Sequence, residues 1–180
     1  MPNLKAYNYL IKKGLDIEGG DSKRYNQNDT LESATDLEAL YNVLTKFKDY
    51  KGHYPKFTAV SLVANPDFEK IRNNNFENYY YEPFTTTLKK YQLDTCFDLW
   101  KEGISSNLFK PQFHGREHLN VAVWMRELQK GDKHALEAFN NGLWGFNNVN
   151  NAKIFYQAAL TLLNPHKPLL KASKACLSPF

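Results

Sequence analysis

Phe57-Thr58-Ala59-Val60-Ser61-Leu62-Val63 is a near-continuous apolar and β-branched run of strand length, preceded by Gly52 and Pro55 and followed by Asn65-Pro66-Asp67. A run with so little polar surface suits a strand covered on both faces in a parallel sheet. Parallel neighbours cannot be joined by a tight turn; they need a crossover of a dozen residues or more, usually helical.

Helical patterns lie on both sides of this run. Leu4, Tyr7, Leu10 and Ile11 recur at helical spacing up to Gly14. Thr35-x-x-Glu38 reads as a capping box, and Leu37, Leu40, Tyr41, Leu44 and Phe47 form one apolar stripe, predicting a helix over 34–49. Asn65-Pro66-Asp67 leads into a short helix with Phe68 and Ile71, while Tyr79-Tyr80-Tyr81-Glu82-Pro83 has strand character without a clean period. Thr95 to Leu108 reads as a helix despite Gly103, and 109–114 as the next strand. Asn120 is placed to cap a helix carrying Trp124, Met125 and Leu128, within 119–130, and Asp132 to cap another ending at Gly142. Ile154–Ala159 fits strand or helix equally, and Leu169–Leu177 fits a last helix. The loop over 16–33, rich in Gly, Asp, Asn and Ser, is long enough to suggest a function.

Residues 1–180 thus read as a single α/β domain of parallel βα units, with strands 57–63 and 109–114 in one sheet and helices outside it. A closed barrel of eight units takes about 250 residues. The expectation is an incomplete (β/α) barrel that lacks its first strand and its C-terminal strands. Such a barrel leaves a sheet edge and apolar side chains uncovered, which favours self-association.

A net charge of +4, with Lys and Arg scattered among acids, gives no indication of nucleic acid as a partner. No apolar run approaches the length of a membrane span, and no signal-peptide pattern opens the chain, so no membrane partner is expected. Cys96 and Cys176 read as reduced thiols of a cytoplasmic protein.

The chemistry concentrates in Phe113-His114-Gly115-Arg116-Glu117-His118, where a strand runs out into a loop. His114 and His118 have a metal-ligand spacing, with zinc the first ion to consider, and Gly115 permits the turn that would let the rings converge. On one tetrahedral ion their ligating nitrogens would lie within about 4.5 Å of each other. Two ligands do not complete a site, and a carboxylate or third His would have to come from elsewhere. The bland alternative is a polar residue under the next helix and a surface residue.

Four stretches, Ala64–Ile71, Tyr79–Phe84, Leu99–Ile104 and Pro111–Val121, together resemble a bacterial family described as polysaccharide (de)acetylase-like. That family is similar to the NodB-type deacetylases, metal-dependent hydrolases on a distorted β/α barrel. The resemblance implies that His114 and His118 match the family's His pair, which holds a divalent ion together with an Asp. A second Asp serves as base for the attacking water. The Asp pair has no counterpart in these 180 residues, so the expectation is an internal portion of the domain, weakly active or inactive on acetylated carbohydrate.

Glu117 and Asp67 are the candidates to replace the missing carboxylates, with Glu82 behind them. Each has a plain alternative: Glu117 as a structural or solvent-facing residue, Asp67 as a helix cap. Arg116 is a candidate for a substrate carboxylate or oxyanion, or for an ion pair with a nearby acid. His53, His134 and His166 read as surface residues. Two other functions remain: a non-catalytic remnant that binds carbohydrate or protein, and a glycoside hydrolase working with two carboxylates.

Overall fold

The computed structural model describes residues 4–19, 22–23, 26–27, 30–147 and 156. Leu169–Leu177, His166, Cys176 and, apart from Tyr156, the segment Ile154–Ala159 lie outside them. Among the described residues, helices α1 (Leu4–Lys12) and α2 (Ala34–Leu44) precede strands β1 (Phe57–Leu62) and β2 (Ala64–Pro66). Then come α3 (Phe68–Asn73), β3 (Tyr81–Pro83), α4 (Phe84–Lys90), α5 (Thr95–Ser105), β4 (Phe109–Gly115), α6 (Val121–Gln129) and α7 (Lys133–Asn140). No helix among them is long and apolar enough to cross a membrane.

β1 and β4 pair in parallel, with Phe57 opposite Phe109 and Ser61 opposite Phe113, as the apolar run required. The two-stranded sheet is not closed. The expected cover on both faces is corrected: only one face is buried. Phe109, Ala59 and Ser61 face the helices, whereas Thr58, Lys110, Gln112 and Val60, the last 64% exposed, look outward. A second ribbon, β2 with β3, is antiparallel and departs from the all-parallel expectation. It begins one residue after β1, because Val63 turns its carbonyl to the Phe84 N–H.

Two apolar cores flank the strands. In one, α2 and α5 press Leu37, Tyr41, Cys96 and Trp100 against Leu108 and Phe109. In the other, α1, α6 and α7 enclose Leu10, Ile71, Trp124, Leu128 and Phe139. Asn120 and Asp132 cap α6 and α7 as their positions suggested, accepting from Val123 N at 3.3 Å and Ala135 N at 2.8 Å. The cap of α2 differs. Ser33 and Asp36 form the reciprocal box, two residues before the Thr35–Glu38 pair.

The same helix stops at Leu44, short of the expected 49. Thr45 folds its hydroxyl back to the Tyr41 carbonyl at 2.9 Å. The Asp49 carboxylate then organises a separate turn by accepting from Lys51 N and His53 N, each at 2.8 Å. Phe47, outside the helix, is exposed. Helix α4 has no counterpart in the sequence reading, since its Thr85-Thr86-Thr87 run is poor in helix propensity and its first turn has no side-chain cap. The loop over 16–33 is tied down in its described part. Asn26 donates to the carbonyls of Ile17 and Gly145 at 3.0 and 2.8 Å, and Asn147 N donates to Asp16 O at 2.8 Å.

Gly103 explains how a helix tolerates glycine here. A Cβ at this position would lie 2.2 Å from the Tyr41 hydroxyl and 2.8 Å from Phe109 Cβ, so only glycine lets α5 approach both α2 and β4. Tyr41 cannot easily yield, because its hydroxyl donates to Leu99 O at 3.0 Å. Gly103→Ala is expected to destabilise the fold by about 1–3 kcal/mol through overpacking. Urea unfolding monitored by tryptophan fluorescence measures this, and an unchanged midpoint would mean that α5 has room to spare.

Candidate functional site

Parallel pairing places the C-terminal ends of β1 and β4 side by side, and the residues singled out from sequence collect there. Between Ser61 and Leu62 the register shifts, with Ser61 opposite Phe113 and Leu62 opposite Gly115, so His114 is the extra residue of a bulge. A bulge re-aims a side chain without breaking the strand pair. Gly115 follows with φ 149°, which a side chain would resist. The ladder resumes as Ala64 N donates to Arg116 O at 2.9 Å. Leu119 then anchors the loop in the α6–α7 core.

Between these anchors the imidazoles of His114 and His118 meet edge to face, with centroids 4.6 Å apart and planes at 71°. His114 is exposed and His118 half-buried. Two imidazoles on one tetrahedral ion have centroids about 5 Å apart. The pair is close enough for two ligands of one ion, but the contact itself is an edge-to-face packing of the rings. It does not complete a site, since no group of three His, Cys, Asp or Glu gathers among the described residues. Two adjacent imidazoles are present, and no catalytic step follows from them alone.

The two residues between the histidines bind each other. Arg116 Nε and Nη2 donate to the Glu117 carboxylate at 2.6 and 2.7 Å, a fork matching both oxygens. The Glu117 side chain is 7% exposed. The guanidinium lies over the rings of Tyr81 and Tyr79, at 4.7 and 5.1 Å from their centroids. The Tyr79 hydroxyl is buried beside Glu117 without a well-formed hydrogen bond among the described residues. Burial first, then the Glu117 charge, push its pKa well above the ordinary tyrosine value, so it stays protonated. Sequence reading missed the tyrosines as the bed of this arginine; three aromatics in a row before a strand were the available signal.

No family model, no curated protein and no solved structure matches the chain.

Local chemistry therefore decides the remaining candidates. Asp67 is a helix cap: its carboxylate accepts from Lys70 N at 3.0 Å and pairs with Lys70 Nζ at 2.9 Å. Burial would raise its pKa, but the Lys70 hydrogen bonds and the charges of Lys70 and Lys90 outweigh this and hold it below the ordinary value. Glu82 is buried, accepts from Thr87 Oγ1 at 2.9 Å and pairs with Lys90. Every carboxylate singled out from sequence is thus occupied by a cation. His53 is exposed against Asp49, and His134 is partly covered on α7.

Two outcomes follow. Glu117→Gln removes the charge that Arg116 is built around and is expected to lower stability by about 1–3 kcal/mol; a thermal melt unchanged from wild type would free Glu117 for a role as base. For Asp67 the folded pKa lies below the unfolded one. Its contribution is therefore complete above about pH 4 and is lost as pH falls through the folded value. Asp67→Asn should flatten the acid limb of stability against pH below about 4, as read by urea midpoints; parallel limbs would refute the assignment.

Proposed function

We propose that this chain is a polysaccharide-deacetylase-like protein, a metal-dependent hydrolase unit for carbohydrate N-acetyl groups that has little or no turnover as these 180 residues. The observation that carries the reading is the His114–His118 pair, ring centroids 4.6 Å apart, with His114 on a bulge where a parallel strand ends and His118 in the loop that follows. The parallel β1–β4 pair with outer helices and the four stretches quoted above support the same class. His114 and His118 would hold a divalent ion, zinc first, and an ion so placed polarises a carbonyl or activates water. Arg116, Glu117 and the two tyrosines keep the loop between the ligands in shape.

What limits the chemistry is charge. An ion on two neutral imidazoles lacks the carboxylate that would offset it, and attack on an amide needs a positioned base. Glu117 is engaged by Arg116, and Asp67 is held ionised as a cap. A glycosidase reading is less well supported, because its general acid needs a raised pKa and Asp67 is shifted the other way. The non-catalytic alternative draws support from a groove of about 580 Å³ bordered by Trp100 and Phe84. Buried Cys96 suits a cytoplasmic setting.

Calorimetric titration with zinc is expected to show weak binding to the wild type and none to His114→Ala or His118→Ala; equal binding by all three rejects the half-site. Acetate release from acetylated sugar oligomers, with zinc or cobalt supplied, should stay near background. Robust turnover abolished by a chelator would show that a carboxylate has been overlooked, and turnover indifferent to chelator would favour the glycosidase.

A further inference from the structure

The edge of β1 away from β4 has chemistry that the metal half-site does not use. In a parallel ladder, a residue whose N–H turns to one neighbour also turns its carbonyl there, and the next residue turns both the other way. Phe57 N donates to Leu108 O at 2.8 Å, which sets the phase. Phe57, Ala59 and Ser61 are therefore the residues bonded to β4. Thr58 and Val60 direct their N–H and C=O groups outward, and neither group has a protein partner among the described residues. Natural edge strands are usually guarded by a lysine, a proline or a covering loop; Phe57-Thr58-Ala59-Val60-Ser61-Leu62 contains neither a charge nor a proline.

This edge opens on the groove of about 580 Å³, which residues 59–62 line consecutively. Leu37, Leu88 and Trp100 supply apolar lining. Glu32 and Asp36 are its charged groups, and no lysine or arginine borders it. We propose that the free edge of β1 with its groove is a docking site for an extended segment of another polypeptide, apolar at alternate positions and carrying lysine or arginine. Backbone pairing to Thr58 and Val60 supplies affinity, and the acidic, apolar groove selects the side chains. A second copy of this chain fits less well. Antiparallel pairing of two β1 edges about a twofold axis puts both α2 helices on the same face of the joined sheet and adds a second Glu32 and Asp36 to the same region.

The test uses the full chain and three capped peptides: Lys-Val-Thr-Val-Thr-Val-Lys, the same sequence with both lysines replaced by glutamate, and the lysine peptide N-methylated at its valines and threonines, which blocks pairing in either direction. Calorimetry should show the lysine peptide binding at least tenfold tighter than the glutamate one, with the N-methylated peptide not binding. Amide shifts should centre on Thr58 and Val60. Val60→Pro, which removes an N–H turned away from β4, should weaken the lysine peptide at least tenfold. The N-methylated peptide keeps the test decisive if that variant folds poorly. Equal binding of all three peptides, or none at millimolar concentration, overturns the proposal. So does concentration-dependent dimerisation that Val60→Pro abolishes, which would assign the edge to a second copy.

Discussion

Parallel pairing of β1 with β4 is the constraint on which the other features rest. Two strands running the same way must be joined by a long crossover, and here that crossover contains β2, β3 and the helices α3 to α5. Because the strands share a direction, their C-terminal ends meet at one end of the sheet. Val63 and Ala64 can then receive Gly115 and Arg116, and β2 can leave at once to pair with β3. An antiparallel arrangement of the same segments would have put the histidines and the β2–β3 ribbon at opposite ends.

Around this end of the sheet, acids are distributed with their own cations. Glu117 meets Arg116, Asp67 meets Lys70 and Glu82 meets Lys90. A buried carboxylate without such a partner would be neutralised or would destabilise the fold. The pairing that makes these residues affordable to bury also removes them as bases. The two imidazoles stand beside a wall that is already electrically balanced, in which none of these three carboxylates is left without a cation.

The sequence made the parallel pair legible because a charge-free β-branched run admits few other settings. It made α6 and α7 legible because Asn120 and Asp132 mark their first turns plainly. The same strand misled on burial: Val60 is apolar, yet it lies on the face that no described element covers, and single-residue hydropathy carries no record of which layers exist. The end of α2 was obscured by Phe47, which keeps the helical spacing while Thr45 and Asp49 redirect the backbone. At the site, the His pair could be read from spacing, and capping was the plain alternative for Asp67. The pairing of Arg116 with the residue next to it, and its bed of Tyr79 and Tyr81, required two segments far apart in sequence to meet. No local pattern announces such a meeting.

The crossover also bears on how the chain reaches its fold. Stacking of Phe57 on Phe109 joins residues separated by five intervening elements, whereas α6 and α7 close on each other across a short turn. Loop-closure entropy must be overcome before the distant pair rewards it, so the α6–α7 hairpin can form early while β1 waits for β4. The extra residue at His114 exists only because β4 is registered on β1, so a ligand that requires the strand-end placement of both rings reports that the two strands have paired.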